Sequence, residues 1–354
     1  MKSPKHMTAM AVGILSIVCF QYTNLFAAQE TRPAYDHSKV AEYKSVRAAT
    51  PPVIDGDLSD EVWTQAQAIE GFTQKDPEEG KPASEKTTVR VLYDNEAIYF
   101  SARLDGSGVT ALLGRRDTYL ESDWFRVYLD PHLDHNTGAS FWVNPANVQL
   151  DMVLFNDGWD DWSWDAVWSS ATKIDDNGWS VEMRIPFTQL RFPDRPLHTW
   201  GVNFARNIIK KNEYAWAVHT PKNESGFISR FAHLNGIEGI KPKRSLELLP
   251  YAVARSDFRN TVSPDDPYNE SSDFGGDFGL DIKYGLTSNL TLTGALNPDF
   301  GQVEADPAVV NLGVFETFFP EKRPFFVEGA NLFRFGQGGS NWNMNINFFQ
   351  PSFF

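Results

Sequence analysis

The chain has 354 residues, a formal net charge of -14 and a single cysteine. Because no run of lysine and arginine interrupts this acidic balance, nucleic acid is not expected as a partner, since neutralising phosphates requires a basic face. The length predicts one to three domains of about 100–200 residues each.

The N-terminal segment has the pattern of a secretory signal peptide. Lysines precede an apolar run from Met10 to Phe20, and the small residues Ala27 and Ala28 offer a cleavage site. The run is too short for a transmembrane helix, which needs about 20 residues. We therefore expect residues 1–28 to be removed on export to the periplasm, the outer membrane or the cell surface. Because Cys19 lies inside this segment, the mature chain would have no disulfides and no thiolate metal sites.

The next stretch changes character near Pro51. Residues 29–49 are polar and lack a hydrophobic period, so we interpret them as a flexible leader. Prolines and an Asp-Gly pair then indicate extended chain and a turn. A short helix is predicted over residues 59–66, with Ser59 as its N-cap and Trp63 on its buried side.

From Thr87 on, apolar residues recur at every second position, which is the period of β-strands. The pattern predicts a hairpin with its turn at residues 94–96. Further alternating strands are expected around residues 125–129, 141–143, 181–185 and 202–204. Many short strands with hardly any helical pattern predict an all-β chain, with a jelly-roll-like antiparallel β-sandwich over residues 50–240.

The character shifts again after about Pro242. Residues 278–284 and 290–296 alternate apolar with polar or small side chains around a turn, which predicts a second hairpin. Such alternation is typical of outer-membrane β-barrels, where lipid-facing and lumen-facing residues alternate; an ordinary hairpin with one buried face shows it as well. We interpret residues 241–354 as a partial β-barrel-like domain, and we expect the chain to be the front part of a longer protein.

Several separated motifs resemble the family 9 carbohydrate-binding module across residues 53–239. They are IDGDLSDEVW at 54–63, TVRVLYDNEAIYF at 88–100, DWFRVYLD at 123–130 and GWSVEMRIPF at 178–187. The resemblance implies a β-sandwich that grips a terminal sugar between two tryptophan rings, in a module usually attached to polysaccharide hydrolases. The motifs at 297–307 and 318–326 resemble an uncharacterised family in which such a module precedes a membrane β-barrel-like region.

Two groups of residues have the chemistry of a sugar site. A sugar needs flat aromatic faces and polar side chains for its hydroxyls, because an unpaired polar group costs about 1–3 kcal/mol. One group is the segment 156–168, rich in tryptophan and aspartate; the other is the polar face of the predicted strands. The predicted ligand-binding residues are Trp124, Arg126, Trp142, Asn144, Trp159, Trp162, Trp164, Asp165 and Arg184. The alternative for both groups is structural, with rings packed on the sandwich and a solvated sheet face carrying cross-strand ion pairs.

Catalytic residues and cofactors are not predicted. Glycoside hydrolysis needs two carboxylates about 5–10 Å apart, and Glu182 could meet Asp165 or Asp151, but such pairs arise by chance among 46 acidic residues. The aspartates of segment 156–168 leave a structural calcium ion open, although their spacing differs from a calcium loop.

These observations predict an exported protein that binds polysaccharide or oligosaccharide at the cell envelope in support of carbohydrate catabolism. Two alternatives remain open at this stage. One is a structural or transport component of an outer-membrane β-barrel, and the other is an O-glycosyl hydrolase.

Overall fold

A computed structural model describes residues 40–243, 246–258, 272–286 and 290–297. The predicted signal peptide, the motifs at 297–307 beyond Asn297 and those at 318–326 lie outside these residues. As predicted, the described chain is almost entirely β, with antiparallel sheets and only short 3-10 turns. In this part of the chain, no helix has the length and apolar character needed to cross a bilayer.

Two sheets form the sandwich. Its strands are β1 (Glu42–Lys44), β2 (Val46–Arg47), β3 (Thr73–Asp76), β4 (Thr87–Tyr93), β5 (Ala97–Asp105), β6 (Trp124–Asp130), β7 (Gly138–Val143), β8 (Gln149–Phe155), β9 (Trp159–Asp161), β10 (Ser169–Asp175), β11 (Gly178–Pro186), β12 (Leu197–Ile208), β13 (Glu213–Trp216) and β14 (Ala232–Glu238). The nine-stranded sheet has the order β1-β14-β12-β6-β7-β8-β9, and β13 branches from β12 to pair with β3. The five-stranded sheet has the order β10-β11-β5-β4-β2.

The main core lies between these two sheets. Alternate residues of a strand point to opposite faces, so each sheet turns one apolar face inward. Across this interior, the ring of Phe100 meets that of Phe204 edge to face at 5.9 Å, and within the nine-stranded sheet Phe125 stacks on Phe204 at 6.2 Å. All three rings are fully buried. The predicted hairpin is confirmed, since Thr87–Tyr93 pairs with residues 98–104 in antiparallel register.

The prediction of a flexible leader is wrong over residues 40–49. Strand β1 pairs in parallel with β14, and β2 pairs in parallel with β4, so consecutive short strands join both sheets. Between them, the Ser45 backbone N–H donates to the Asn235 carbonyl at 2.9 Å. Strands of two or three residues are too short to show a hydrophobic period, which is why the sequence did not reveal them.

The helix in the structure is shorter than the predicted helix at 59–66, and its N-cap is a different residue. A 3-10 helix spans Glu61–Gln65 after Asp60, whose side chain makes no capping hydrogen bond. Trp63 is buried as predicted. The turn before it requires glycine, because Gly56 has φ +85° and an added Cβ would lie 2.7 Å from the Thr172 carbonyl carbon.

A separate three-stranded sheet follows, formed by β15 (Leu246–Phe258), β16 (Ser272–Gly285) and β17 (Thr291–Leu296). The register places Leu248 opposite Ile282 and Leu280 opposite Leu296, so apolar residues share one face, as the alternation predicts. The opposite face contacts the sandwich, where Arg191 donates to the Thr291 hydroxyl at 2.7 Å.

Candidate functional site

The outer face of the nine-stranded sheet carries a second apolar cluster, which we call the outer aromatic cluster. Alternation on β6 and β7 turns Trp124, Arg126 and Trp142 away from the main core, as predicted. Much of this face is covered, because residues from the loops before β6 and before β14 pack over it. The buried apolar members are Trp124, Tyr128, Trp142, Val148, Leu150, Met152, Leu154, Ala205, Trp216, Ile228 and Phe231.

Two of the predicted ligand-binding residues, Trp124 and Asn144, are fully buried. The Trp124 indole N–H donates to the Leu120 carbonyl at 2.9 Å. The Asn144 side chain accepts from the Val148 backbone N–H at 2.8 Å and donates to the Leu112 carbonyl at 2.7 Å. Neither side chain presents surface to a ligand in this structure; both hold loops against the sheet.

Arg126 lies at the centre of the outer aromatic cluster. Its guanidinium carbon is 3.6 Å from the centroid of the Trp142 ring and 4.6 Å from that of Tyr214, so two rings enclose it. The side chain is 5% exposed, and its Nη2 donates to Asn207 Oδ1 at 3.5 Å. Burial lowers the pKa of the Arg126 guanidinium from its ordinary value, while the hydroxyls of Tyr128 and Tyr119 act in the opposite direction.

Two partly exposed rings flank Trp142 and open this cluster to solvent. Trp162 meets Trp142 edge to face at 5.7 Å and 73°, and Tyr119 does so at 6.4 Å and 78°. Both flanking side chains are 43% exposed, whereas Trp142 is buried. We call Tyr119, Arg126, Trp142 and Trp162 the aromatic site. It combines accessible ring surface with a guanidinium and a phenol hydroxyl as polar partners.

The remaining predicted residues lie elsewhere. Trp159 is 62% exposed and packs on Phe155 at the β9 edge of the nine-stranded sheet. Trp164 packs edge to face on Phe141 at 5.9 Å, beside the main core. The sequence groups these tryptophans in one segment. In the structure their side chains pack in different places, Trp159 at the edge strand β9 and Trp164 beside the main core.

Asp165 and Arg184 have partners outside the aromatic site. Asp165 is exposed and forms an ion pair with Arg116 at 3.3 Å. Arg184 lies on β11 of the five-stranded sheet, opposite Tyr99 on β5. Arg184 is therefore in a different sheet from Trp142, and alternation along a strand cannot show which sheet the strand joins.

The aspartates of segment 156–168 stabilise loops. Asp157 accepts hydrogen bonds from the backbone N–H groups of Phe227 and Ser229, at 3.0 and 2.7 Å, and from the Ser229 hydroxyl at 2.7 Å. Asp161 accepts from the Ser163 backbone N–H at 2.9 Å. Within the described ranges, no three or more metal-ligating side chains of the histidine, cysteine, aspartate or glutamate type come together.

Glu182 and Asp151, two of the carboxylates considered for hydrolysis, bind groups within the fold. Glu182 is buried in the five-stranded sheet and accepts from the Trp63 indole N–H at 2.7 Å and from the Gly56 backbone N–H at 2.9 Å. Asp151 is buried in the nine-stranded sheet and accepts from the Trp168 indole N–H at 2.8 Å and from Arg116. Burial raises the pKa of Glu182 and raises that of Asp151 to about 6.

A cavity of about 230 Å³ adjoins the outer aromatic cluster, and sequence reasoning missed it. Its lining includes Lys75, Asn203, Trp216, Thr220, Lys222 and Phe227. The Lys75 ammonium lies 5.9 Å above the Trp216 ring. The alternation of Tyr214 and Trp216 along β13 was the available signal, but four residues are too few to establish a strand from periodicity.

Comparisons with known proteins agree with the two parts of the fold. Residues 54–218 match the family model described as carbohydrate family 9 binding domain-like. Residues 242–337 match a domain of unknown function, DUF5916. No protein with curated function matched the chain.

Similar solved structures include a carbohydrate binding module family 9 from Caldicellulosiruptor kristjanssonii in complex with cellotriose. It is 16% identical, with a TM-score of 0.42, over 64% of this chain and 100% of that chain. The glucose complex of a family 9 module from the same organism is 16% identical with a TM-score of 0.41, over 56% of this chain and 96% of that chain. A Bacteroides uniformis ATCC 8492 protein, provisionally described as carbohydrate-binding, is 13% identical with a TM-score of 0.45, over 57% of this chain and 100% of that chain. The chain thus contains two segments that are similar to known families, residues 54–218 to the carbohydrate family 9 binding domain-like model and residues 242–337 to DUF5916.

Proposed function

We propose that the protein is exported to the cell envelope and binds polysaccharide or oligosaccharide there, in support of carbohydrate catabolism. The observation that carries this proposal is the aromatic site, where two accessible rings flank Trp142 beside a buried arginine. The match of residues 54–218 to a carbohydrate-binding family supports the ligand class. The signal-peptide pattern of residues 1–28 supports export.

The chemistry of the aromatic site suits a sugar ring. The exposed surfaces of Trp162 and Tyr119 are apolar and flat, so a sugar that covers them with its C–H face releases water from both. Hydroxyl groups of the sugar would meet the Tyr119 hydroxyl and the Arg126 guanidinium. These polar partners are needed because a desolvated hydroxyl without one costs about 1–3 kcal/mol.

The test is binding of the full chain to a panel of soluble polysaccharides by affinity electrophoresis, followed by calorimetry with the best ligand. We expect Trp162→Ala and Tyr119→Ala to weaken binding at least tenfold. The control Ile174→Ala removes an exposed side chain of β10 on the five-stranded sheet and should bind like the unaltered protein. Unchanged binding by both aromatic variants would exclude this site.

Trp159→Ala tests a separate prediction from the sequence. Trp159 is the more exposed ring and packs on Phe155, outside the aromatic site. A loss of binding comparable to that of Trp162→Ala would extend the sugar-contacting surface along β9.

The three-stranded sheet favours a second function, contact with the outer membrane. Its polar face contacts the sandwich, while Leu248, Phe278 and Leu292 on the other face are exposed. A sheet of a water-soluble domain buries its apolar face. Two of its strands, β15 and β16, exceed the length of about 9–11 residues with which a strand spans a bilayer, and lipid would cover such a face. We therefore propose that this sheet belongs to an outer-membrane β-barrel.

Flotation with phosphatidylcholine vesicles tests this second proposal. Leu248→Asp and Phe278→Asp place a charge on the apolar face and should reduce the floating fraction of the full chain. Thr293→Asp is the matched control, because Thr293 lies on the opposite face of β17. Equal flotation of all variants would show that the apolar face does not contact lipid.

A further inference from the structure

Arg126 is a buried cation whose partners are neutral. Its contacts are the rings of Trp142 and Tyr214, the hydroxyls of Tyr128 and Tyr119, and Asn207, to which its hydrogen bond is long, at 3.5 Å. Its Nε has no hydrogen-bond partner. Among the described residues, no salt bridge includes Arg126. The positive charge therefore lies inside the outer aromatic cluster without a counterion from this part of the chain.

Arg206, an equally buried arginine on β12, shows how this fold otherwise treats such a charge. Its guanidinium donates to the Thr87 hydroxyl at 3.2 Å and to the Asp105 carbonyl at 2.6 Å. The carboxylates that interact with it favourably are those of Asp123, Glu85, Glu213 and Asp105. Arg206 also forms no salt bridge among the described residues, but these four carboxylates act on its charge. The groups that act favourably on Arg126 are instead the hydroxyls of Tyr128 and Tyr119. Because burying a charge is costly, Arg126 would be stabilised by an anion that a ligand supplies.

A second cation, Lys75, lies over the Trp216 ring of the outer aromatic cluster and forms no salt bridge among the residues described. Two acidic groups lie in the same region. Asp160 acts electrostatically on Tyr128, and Glu224 lines the cavity but pairs with Arg230 at 2.5 Å.

We infer that the aromatic site selects an anionic sugar, whose carboxylate or sulfate group pairs with the Arg126 guanidinium while its ring covers Trp162 and Tyr119. This inference rests on the proposed carbohydrate binding and specifies the ligand class. A guanidinium presents N–H donors in a planar fork that matches such oxygens, and charge-assisted hydrogen bonds are about twice as strong as neutral ones. A neutral sugar would leave the buried charge uncompensated.

The experiment compares matched sugars by calorimetry on the full chain. The probes are glucose, glucuronate and glucose 6-sulfate, with galactose and galacturonate as a second pair and acetate as an anion without a sugar ring. We expect the anionic sugar of at least one set to bind about tenfold more tightly than its neutral counterpart, and acetate not to bind. Comparing the affinities of glucuronate and glucose 6-sulfate shows whether the site prefers a carboxylate or a sulfate group.

Arg126→Met keeps an unbranched side chain between the rings and removes the charge, so the ratio of anionic to neutral affinity should fall to about one. Arg90→Met, on β4 of the five-stranded sheet, is the control and should keep the ratio. If Arg126→Met does not fold, Arg126→Lys, which keeps the charge but loses the planar fork, should reduce the ratio.

Tighter or equal binding of the neutral sugars to the unaltered protein would overturn the inference and leave the proposed function intact. A ratio unchanged in the Arg126 variants would overturn it as well. If no sugar of any kind binds, the proposed carbohydrate binding fails and the inference fails with it.

Discussion

Glu182 shows how one buried carboxylate holds a sequence motif in place. It accepts hydrogen bonds from the backbone N–H groups of Asp55 and Gly56 and from the indole of Trp63, so the residues 54–63 are anchored on the five-stranded sheet. A carboxylate with three donors satisfies much of its hydrogen-bonding capacity inside the fold. The sequence indicated the motif, but it could not show that Glu182 is its partner, 119 residues from Trp63 along the chain.

Replacing Glu182 by alanine should destabilise the sandwich by about 2–4 kcal/mol, because three buried donors lose their acceptor. Urea denaturation followed by tryptophan fluorescence measures this change. Glu121→Ala, at an exposed position, is the control and should change the free energy of unfolding little. Equal midpoints for the two variants would show that the motif does not depend on Glu182.

The buried carboxyl group of Asp130 makes the free energy of unfolding depend on pH. Its side chain is buried, and this desolvation raises the pKa of Asp130 to about 6, above the value of about 3.9 for an unfolded chain. A raised pKa means that the protonated carboxyl favours the folded state. Its contribution is therefore present below pH 4 and is lost as the pH rises towards 6.

We expect Asp130→Asn to flatten this dependence. Between pH 4 and pH 6, the free energy of unfolding of the unaltered protein should fall. This fall should be larger than that of the variant by about 2 kcal/mol. Urea midpoints at the two pH values measure the difference. Parallel pH profiles for the two proteins would contradict a raised pKa at Asp130.

Strands that alternate over many residues were predicted from the sequence, and those that do not were missed. The hairpin of β4 and β5 and the strand containing Phe125, Val127 and Leu129 follow directly from period two. The same alternation turned Trp124 and Arg126 outward but could not show that loops cover that face. The site was therefore only partly predictable, since Tyr119 and Tyr214 reach Arg126 through tertiary packing.

Ser45→Pro tests the short N-terminal strands. Proline removes the backbone donor to the Asn235 carbonyl and the hydroxyl that donates to the same oxygen at 3.0 Å. We expect a loss of about 1–3 kcal/mol in the free energy of unfolding. Thr50→Pro, outside both strands, is the control and should have a much smaller effect. A Ser45 variant as stable as the control would mean that β1 contributes little to the sandwich.

At the level of the whole molecule, the two sheet assemblies differ in how they treat apolar surface. The sandwich buries its apolar residues in three clusters. The three-stranded sheet leaves Leu246, Leu248 and Phe274 of its apolar face exposed. Large exposed apolar patches cause association in water.

We therefore expect the segment 40–243 to be more soluble without detergent than the full chain. Sedimentation of both proteins after removal of detergent, at equal concentration, measures the soluble fraction. Far-ultraviolet circular dichroism of the short segment confirms that it is folded. Similar soluble fractions would show that the apolar face of the three-stranded sheet does not drive association.

The parallel pairing of β1 with β14 has a consequence for the order of events during synthesis. The ribosome makes the chain N-terminus first, so Tyr43 is present long before Leu234, its register partner near the C-terminal end of the sandwich sequence. The nine-stranded sheet cannot acquire its edge strand β1 until almost the whole domain has been made, and contacts of such long range form slowly. The topology therefore delays completion of this sheet until late in synthesis.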